Sequence, residues 1–369
     1  MYKRQGLGTA GVGTVTVANG ATLDLQGVTV AAKGGTTING GTISTTTGTS
    51  SYADGITLGA NSTVDVDGTQ LTLSGVIGDG GGTFNLTKTG NGILVLSGAN
   101  TYDGNTAINA GTVNVTHATG LGSAGSGTVT IANGTTLDIQ NVVVAAKGGT
   151  TITGGTISTT AGTSSYADGI TLAANSTVDV DGTQLTLSGV INDGAGNNFG
   201  LTKTGNGILV LSGANTYGGN VALNAGTINV TNANGLGSDG AGTVTVANGT
   251  TLDIQNVTVA AKGGTTINGG TISATTGTSS YADAITLGAN STVDVDGTQL
   301  TLSGVINDGA GNNFGLTKTG NGILVLSGAN TYGGAVALNA GTINVTNANG
   351  LGSDGAGTCL LYTSPSPRD

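Results

Sequence analysis

The chain has 369 residues, of which 72 are glycine and only 28 are charged, nine basic and nineteen acidic, for a net charge of −10. Glutamate is absent and Arg and Met are scarce while Gly and Thr abound, which excludes a helical protein. Short alternating runs of Val, Ile and Leu exclude disorder, and the lack of a Gly-X-Y period and of proline excludes collagen, leaving a long all-β chain.

The two ends differ from everything between them. Residues 1–5 and 359–369 hold the only Met (Met1), the only arginines (Arg4, Arg368), both prolines (Pro365, Pro367) and the only Cys (Cys359). Read back into codons, both stretches match the two strands of one transposase sequencing adaptor. They are expected to be non-native, with the interior a fragment. Setting aside Lys3, Arg4, Arg368 and Asp369 moves the net charge from −10 to −12. An acidic chain this poor in cations repels phosphate backbones, which argues against a nucleic-acid partner. Without interior cysteine there is no disulfide and no thiolate metal site.

From the N-terminal side, Thr14-Val15-Thr16-Val17, Ala21-Thr22-Leu23-Asp24-Leu25, Ser62-Thr63-Val64-Asp65-Val66-Asp67 and Gln70-Leu71-Thr72-Leu73 alternate apolar with polar. That period of two predicts short strands with one buried and one wet face. Asn19-Gly20, Asn39-Gly40, Asp67-Gly68, Asn91-Gly92 and Asp103-Gly104 separate them as tight turns. The pattern then recurs. Lys33, Lys147 and Lys262 stand 114 and 115 residues apart, and Lys88, Lys203 and Lys318 stand 115 and 115 apart. The one-residue difference falls between Asp79 and Phe84, as expected of a loop. Three near-identical units are predicted at 6–119, 120–234 and 235–349, with a fourth starting at 350–358. Short strands, regular turns and nested repetition predict a solenoid. At ~20 residues per coil each unit holds about five or six coils, and a core this thin favours Val, Ile, Leu and Ala over rings.

Residues 86–115 follow L-x-K-x-G-x-G-x-L-x-L-x-G-x-N-x-Y-x-G-x-T, from Leu86, Lys88, Gly90 and Gly92 through Leu94, Leu96, Gly98, Asn100, Tyr102 and Gly104 to Thr106. The pattern recurs at 201–230 and 316–345, with Val221 and Val336 in place of Thr106. It resembles the passenger-associated repeat of bacterial autotransporters. That resemblance implies a right-handed parallel β-helix on the outside of a Gram-negative cell, tethered to the outer membrane. It implies type V secretion, with a C-terminal outer-membrane translocator barrel as partner. The repeat is expected to assist export and folding and to hold no catalytic or binding residues.

The chemistry sought elsewhere is sparse. His117 is replaced by Asn232 and Asn347 in the other copies, so it reads as an exposed turn residue rather than a member of a Ser-His-Asp triad. Asp65 and Asp67 lie two apart on one strand face, as do Asp179/Asp181 and Asp294/Asp296. They read as a solvated outer face, the other reading being a weak Ca²⁺ site or an acid pair. Gly120-Leu121-Gly122-Ser123-Ala124-Gly125, with Asp138 beyond, matches a dinucleotide fingerprint. A chain this rich in glycine yields about two to three such matches by chance, and a strand follows where a helix is required. No catalytic, cofactor-binding or metal-binding residue is assigned. Ile93 and Val95 should face outward beside the core leucines Leu94 and Leu96. Either a loop covers this apolar stripe, with its counterparts Ile208/Val210 and Ile323/Val325, or it is open to a partner.

The reading is a non-enzymatic β-helical stalk of an adhesin-like surface protein. Its partners would be a host surface or identical passengers on neighbouring cells. The alternatives are a polysaccharide-active enzyme of pectin-lyase type, marked by Asp and Lys lining one cleft, and a self-associating adhesin active in aggregation or biofilm. Long-read sequencing of the source locus is expected to find no codons for residues 1–5 and 359–369 beside the repeats; their presence there would overturn the adaptor assignment.

Overall fold

The computed structural model describes residues 10–353 and the backbone of Leu360–Leu361. Among these residues every regular element is a β-strand of two to five residues. The chain divides into two compact units, Met1–Val190 and Ile191–Asp369, whose sequence boundary falls inside the second repeat copy.

In the first unit the chain winds into coils with three faces. Val15–Val17, Thr36–Asn39, Ile56–Ala60 and Ile77–Gly78 stack in parallel as the first face. Thr22–Asp24, Thr42–Thr45, Ser62–Val66, Leu86–Thr89, Thr106–Ile108 and Val129–Ile131 form the second. Thr29–Val30, Thr49–Tyr52, Gln70–Leu73, Ile93–Leu96, Thr112–Val115 and Thr136–Ile139 form the third. The second unit has the same design. Leu201–Thr204, Val221–Leu223 and Val244–Val246 stack on one face, Ile208–Leu211, Thr227–Val230 and Thr251–Ile254 on the next, and Thr258–Val259, Thr278–Tyr281 and Gln299–Leu302 on the third. Each unit is a parallel β-solenoid, as the sequence predicts.

The coil length is not constant. The register step is 20 residues from Thr22 to Thr42 but 24 from Thr63 to Thr87. From Thr22 the second face runs through Thr42, Thr63, Thr87 and Ala107 to Thr130, five full coils. The counterpart of Thr22 in the second copy is Thr136, which lies one face further on, in register with Thr112. One repeat therefore takes five and a third coils, and the second copy is turned by one face. The longer coils take their extra residues in segments 79–85 and 116–128, which form no strand, whereas the coil that holds the strand-free segment 97–105 takes 20.

The predicted parity holds. Val64, Val66, Leu71, Leu73, Leu94 and Leu96 and their counterparts in both other copies are at most 1% exposed, whereas Asp65 faces out. The expectation of few rings in the core needs correction. Tyr52, Tyr102, Tyr166, Tyr217, Tyr281 and Tyr332 are the largest fully buried side chains. A buried phenol needs a partner for its hydroxyl, and Tyr52, Tyr102, Tyr166 and Tyr281 each find a threonine hydroxyl inside the coil.

Residues 1–5, expected to lie off the solenoid, are outside the described residues, as is most of 359–369. Leu360 and Leu361 depart from that expectation: they pair in parallel with Ala337 and Leu338. An open sheet edge offers unpaired N–H and C=O groups, and an extended apolar dipeptide satisfies them whatever its origin. For the core, Leu94→Ala is expected to cost about 2–5 kcal/mol in urea unfolding, against about 0.5 kcal/mol or less for outward-facing Thr72→Ala.

Candidate functional site

The most specific sequence feature is the motif at 86–115, and the structure gives each of its fixed positions an inward or close-packed role. Leu86, Lys88, Leu94, Leu96, Asn100, Tyr102, Thr106, Ile108 and Val113 are all buried. The glycines stand where backbones approach. A Cβ at Gly104 would collide with the carbonyl oxygen of Phe84, and Gly111 combines φ of +66° with the carbonyl of Gly92 close by. The motif is thus a transcript of the coil interior, read every second residue.

Lys88 enters that interior with its cationic head. Its Nζ donates to the carbonyl oxygens of Thr89 (2.7 Å), Gly90 (2.6 Å) and, one coil on, Ala110 (3.1 Å). These use all three ammonium donors and close the corner where the chain leaves the strand. Burial pulls its pKa down to about 8, opposed by the nearby Asp65 and Asp67. Lys203 and Lys318 make the same three bonds in their copies. Parity could have revealed this role, because Lys88 shares its phase with Leu86 and Leu94.

Asn100 is the second stitch. Its Oδ1 accepts from Ile77 N (2.8 Å) and its Nδ2 donates to Gly120 O (2.7 Å), joining three successive coils across the strand-free segment. Asn330 bonds Ile306 N and Gly350 O in the same way. A third buried cluster recurs outside the motif. Asp168 accepts from Lys147 N (3.0 Å) and Thr150 Oγ1 (2.6 Å), and Thr150 also bonds the Tyr166 hydroxyl at 2.6 Å. Lys147 Nζ donates to Ser123 O (2.6 Å) and lies 5.7 Å from the centre of the Tyr102 ring. Burial lowers the Lys147 pKa, opposed by Asp103 and Asp168.

The copies differ informatively at Thr106. Its hydroxyl bonds the buried Tyr102 hydroxyl at 2.7 Å. Val221 takes this place in the second copy, and the Tyr217 hydroxyl has no partner among the described residues.

His117 lies at a turn, half-buried rather than exposed as expected, because its ring folds back onto the chain. Its Nδ1 accepts from Thr119 N at 3.2 Å, the bond that Asn232 Oδ1 takes from Asn234 N and Asn347 Oδ1 from Asn349 N. It caps a turn, with the Thr119 hydroxyl of that same turn 3.3 Å from Nδ1. Val129–Ile131, after the glycine-rich match at 120–125, is a strand. Ile93 and Val95 are half-buried. Ile93 lies in register between Gln70 and Thr112, and Val95 between Thr72 and Asn114, so polar neighbours interrupt the stripe on both sides. Asp67 is exposed, while Asp65 accepts from Thr89 Oγ1 at 2.6 Å. Asp65 lines an outer groove with Asp24, and no lysine takes part in that lining. Among the described residues no three His, Cys, Asp or Glu side chains cluster as metal ligands.

Three segments of the chain, 86–115, 201–230 and 316–345, match the family model of the passenger-associated-transport-repeat. Over 336 residues, 89% of its length, the chain is 33% identical to the adhesin BmaC autotransporter of Brucella suis biovar 1 (strain 1330). It spans 9% of that relative. No solved structure matches the chain.

Two measurements test the interior. Thr106→Val should lower stability by about 1–3 kcal/mol by orphaning the Tyr102 hydroxyl, and Val221→Thr should recover about 1 kcal/mol in the second copy. Between pH 8 and about 10 the folded Lys88 releases its proton while the unfolded chain keeps it, so stability should rise with pH there. Burial lowers Lys147, Lys262 and Lys318 in the same direction, so Lys88→Met should reduce that rise in pH-dependent urea melts without abolishing it.

Proposed function

We propose that this chain, an autotransporter passenger segment by its three repeats and its relative, is a non-enzymatic stalk that holds an adhesin's binding region away from the cell. The observation that supports this most directly is the inward use of the motif. Lys88, Asn100 and Tyr102 spend their polar groups inside the solenoid, on their own coil or the next, rather than on its outer surface. Such a motif fits a structural role, because each coil is completed by contacts with the next and the chain can build up locally as it emerges.

On this reading the protein leaves a Gram-negative cell through a C-terminal outer-membrane barrel and stays at the surface. The similarity to a protein named as an adhesin supports a role in attachment. A pectin-lyase-type enzyme would be supported by lysine beside the groove aspartates. Instead Lys88 points inward with its donors engaged. Self-association through an apolar stripe would be supported by contiguous exposed side chains, whereas Ile93 and Val95 are flanked by polar residues in register.

Deleting residues 120–234 from the full-length protein leaves Thr119 followed by Gly235-Leu236-Gly237-Ser238, the same run that follows it as Gly120-Leu121-Gly122-Ser123. The shortened passenger should still be displayed and should still bind its target, with reduced reach in single-cell force measurements. Loss of binding with display intact would show that the repeats themselves make the contact and would overturn the stalk.

A further inference from the structure

Three rows of outward side chains share one composition. In the first unit Asp24, Ser44, Asp65 and Thr89 lie in register on neighbouring strands of the second face. Because the second copy is turned by one face, its row lies on the third: Asn114, Asp138, Ser158 and Asp179. Within the second unit the row runs Asn229, Asp253, Ser273, Asp294 and Thr319. In each row a serine stands between two aspartates. The sequence pairs Asp65 with Asp67; the sheet pairs it instead with Asp24, two strand spacings or roughly 9–10 Å away along the backbone.

Over the first row opens a groove of about 330 Å³ whose lining is threonine, serine and aspartate alone. The side-chain polar atoms of that lining are therefore all oxygen. The Asp24 carboxylate is fixed in place there: its Oδ1 accepts from Ser44 Oγ (2.9 Å) and Thr46 N (3.1 Å), and its Oδ2 from Gln26 Nε2 (2.8 Å) and Thr46 Oγ1 (2.9 Å). In the other two rows the middle serine is short of a partner. Ser158 is 3% exposed and Ser273 1%, and among the described residues neither hydroxyl has a hydrogen-bond partner, although each lies between two aspartates. The Oδ1 of Asn114, on the other side of Asp138, is buried and unpaired as well. A buried polar atom left unmatched is destabilising, so these rows favour a small occupant that binds oxygen.

We infer that each Asp–Ser–Asp row binds a divalent cation of the calcium class, bridging successive coils through carboxylate, hydroxyl and amide oxygens. Hard oxygen donors without nitrogen or sulfur select calcium or magnesium over transition metals. Ligands set by strand spacing suit the flexible six to eight oxygens of calcium better than the strict octahedron of magnesium. Two carboxylates with otherwise neutral ligands place the affinity at about 10⁻⁴–10⁻³ M, the range of extracellular modules. The ion would tie coil to coil from outside, as Lys88 does from within. The one-face step would set these ties on different sides of the first unit. This inference is independent of the stalk reading.

The test is calorimetric titration of the whole chain with CaCl2 after EGTA treatment, in parallel with thermal melts. Calcium should bind with Kd in the stated range and raise Tm, and MgCl2 should bind several-fold more weakly. The triple variant D65N/D179N/D294N should lose at least tenfold in affinity, while D67N/D181N/D296N, which removes the same charge from the exposed neighbours, should bind as the parent does. Ser158→Ala with Ser273→Ala should leave stability in EGTA unchanged and weaken calcium binding, a split that a purely structural serine would not show. No heat and no Tm shift up to about 10 mM calcium, well above that range, would overturn the inference. Equal weakening in both triple variants would also overturn it, by showing diffuse charge screening. Circular dichroism of each variant confirms that it is folded.

Discussion

The fold depends on closing the backbone at the corners of a core one side chain deep. On the flat faces the parallel ladders pair N–H with C=O, and alternation alone keeps apolar groups inside. Where the chain turns, or crosses a face without a strand, those ladders stop and water is excluded. A buried unpaired carbonyl or N–H costs as much there as in any protein interior. Polar side chains that point inward meet this demand: Lys88 on three carbonyls, Asn100 across three coils, Asp168 on Lys147 N. The inward lysine is the costliest solution, since burial disfavours its charge, and it persists because all three donors are matched.

Near-identity among the copies turns the chain into a comparison with itself. The Tyr102 hydroxyl is satisfied by Thr106, but in the second copy Val221 leaves Tyr217 with none. The fold tolerates the loss because the ring still fills the same space. A second contrast lies at Gln26. It reaches Asp24 alone, whereas Gln140 spans from Asp138 to Thr160 Oγ1 and Gln255 from Asp253 to Thr275 Oγ1. The residue after each glutamine is Gly27 in the first copy and Asn141 or Asn256 in the others, all three at positive φ. The turn is held in the left-handed region by Gly in one case and by Asn in the others, which tolerates it better than most residues.

A repeat of five and a third coils has consequences for any long array of such repeats. Features at equivalent positions do not line up in one column but step from face to face, so that an array shows the same groups in several directions. Each coil touches only its neighbours, which keeps contacts local in sequence and suits a chain that forms from one end. Among the described residues the lysines are buried and the outer face is acidic.

Alternation, turn dipeptides and the 115-residue period were enough to establish strands, faces and copies, because a side chain's inward or outward direction depends only on local parity. The same parity held the inward direction of Lys88, although not its three carbonyl partners. The pairing of Asp65 with Asp24 and the one-face turn between copies were decided by tertiary structure alone. Both follow from the register between coils, which shifts when one coil takes 20 residues and another 24. Loop length accumulates along the solenoid, and no local pattern records where it comes to rest.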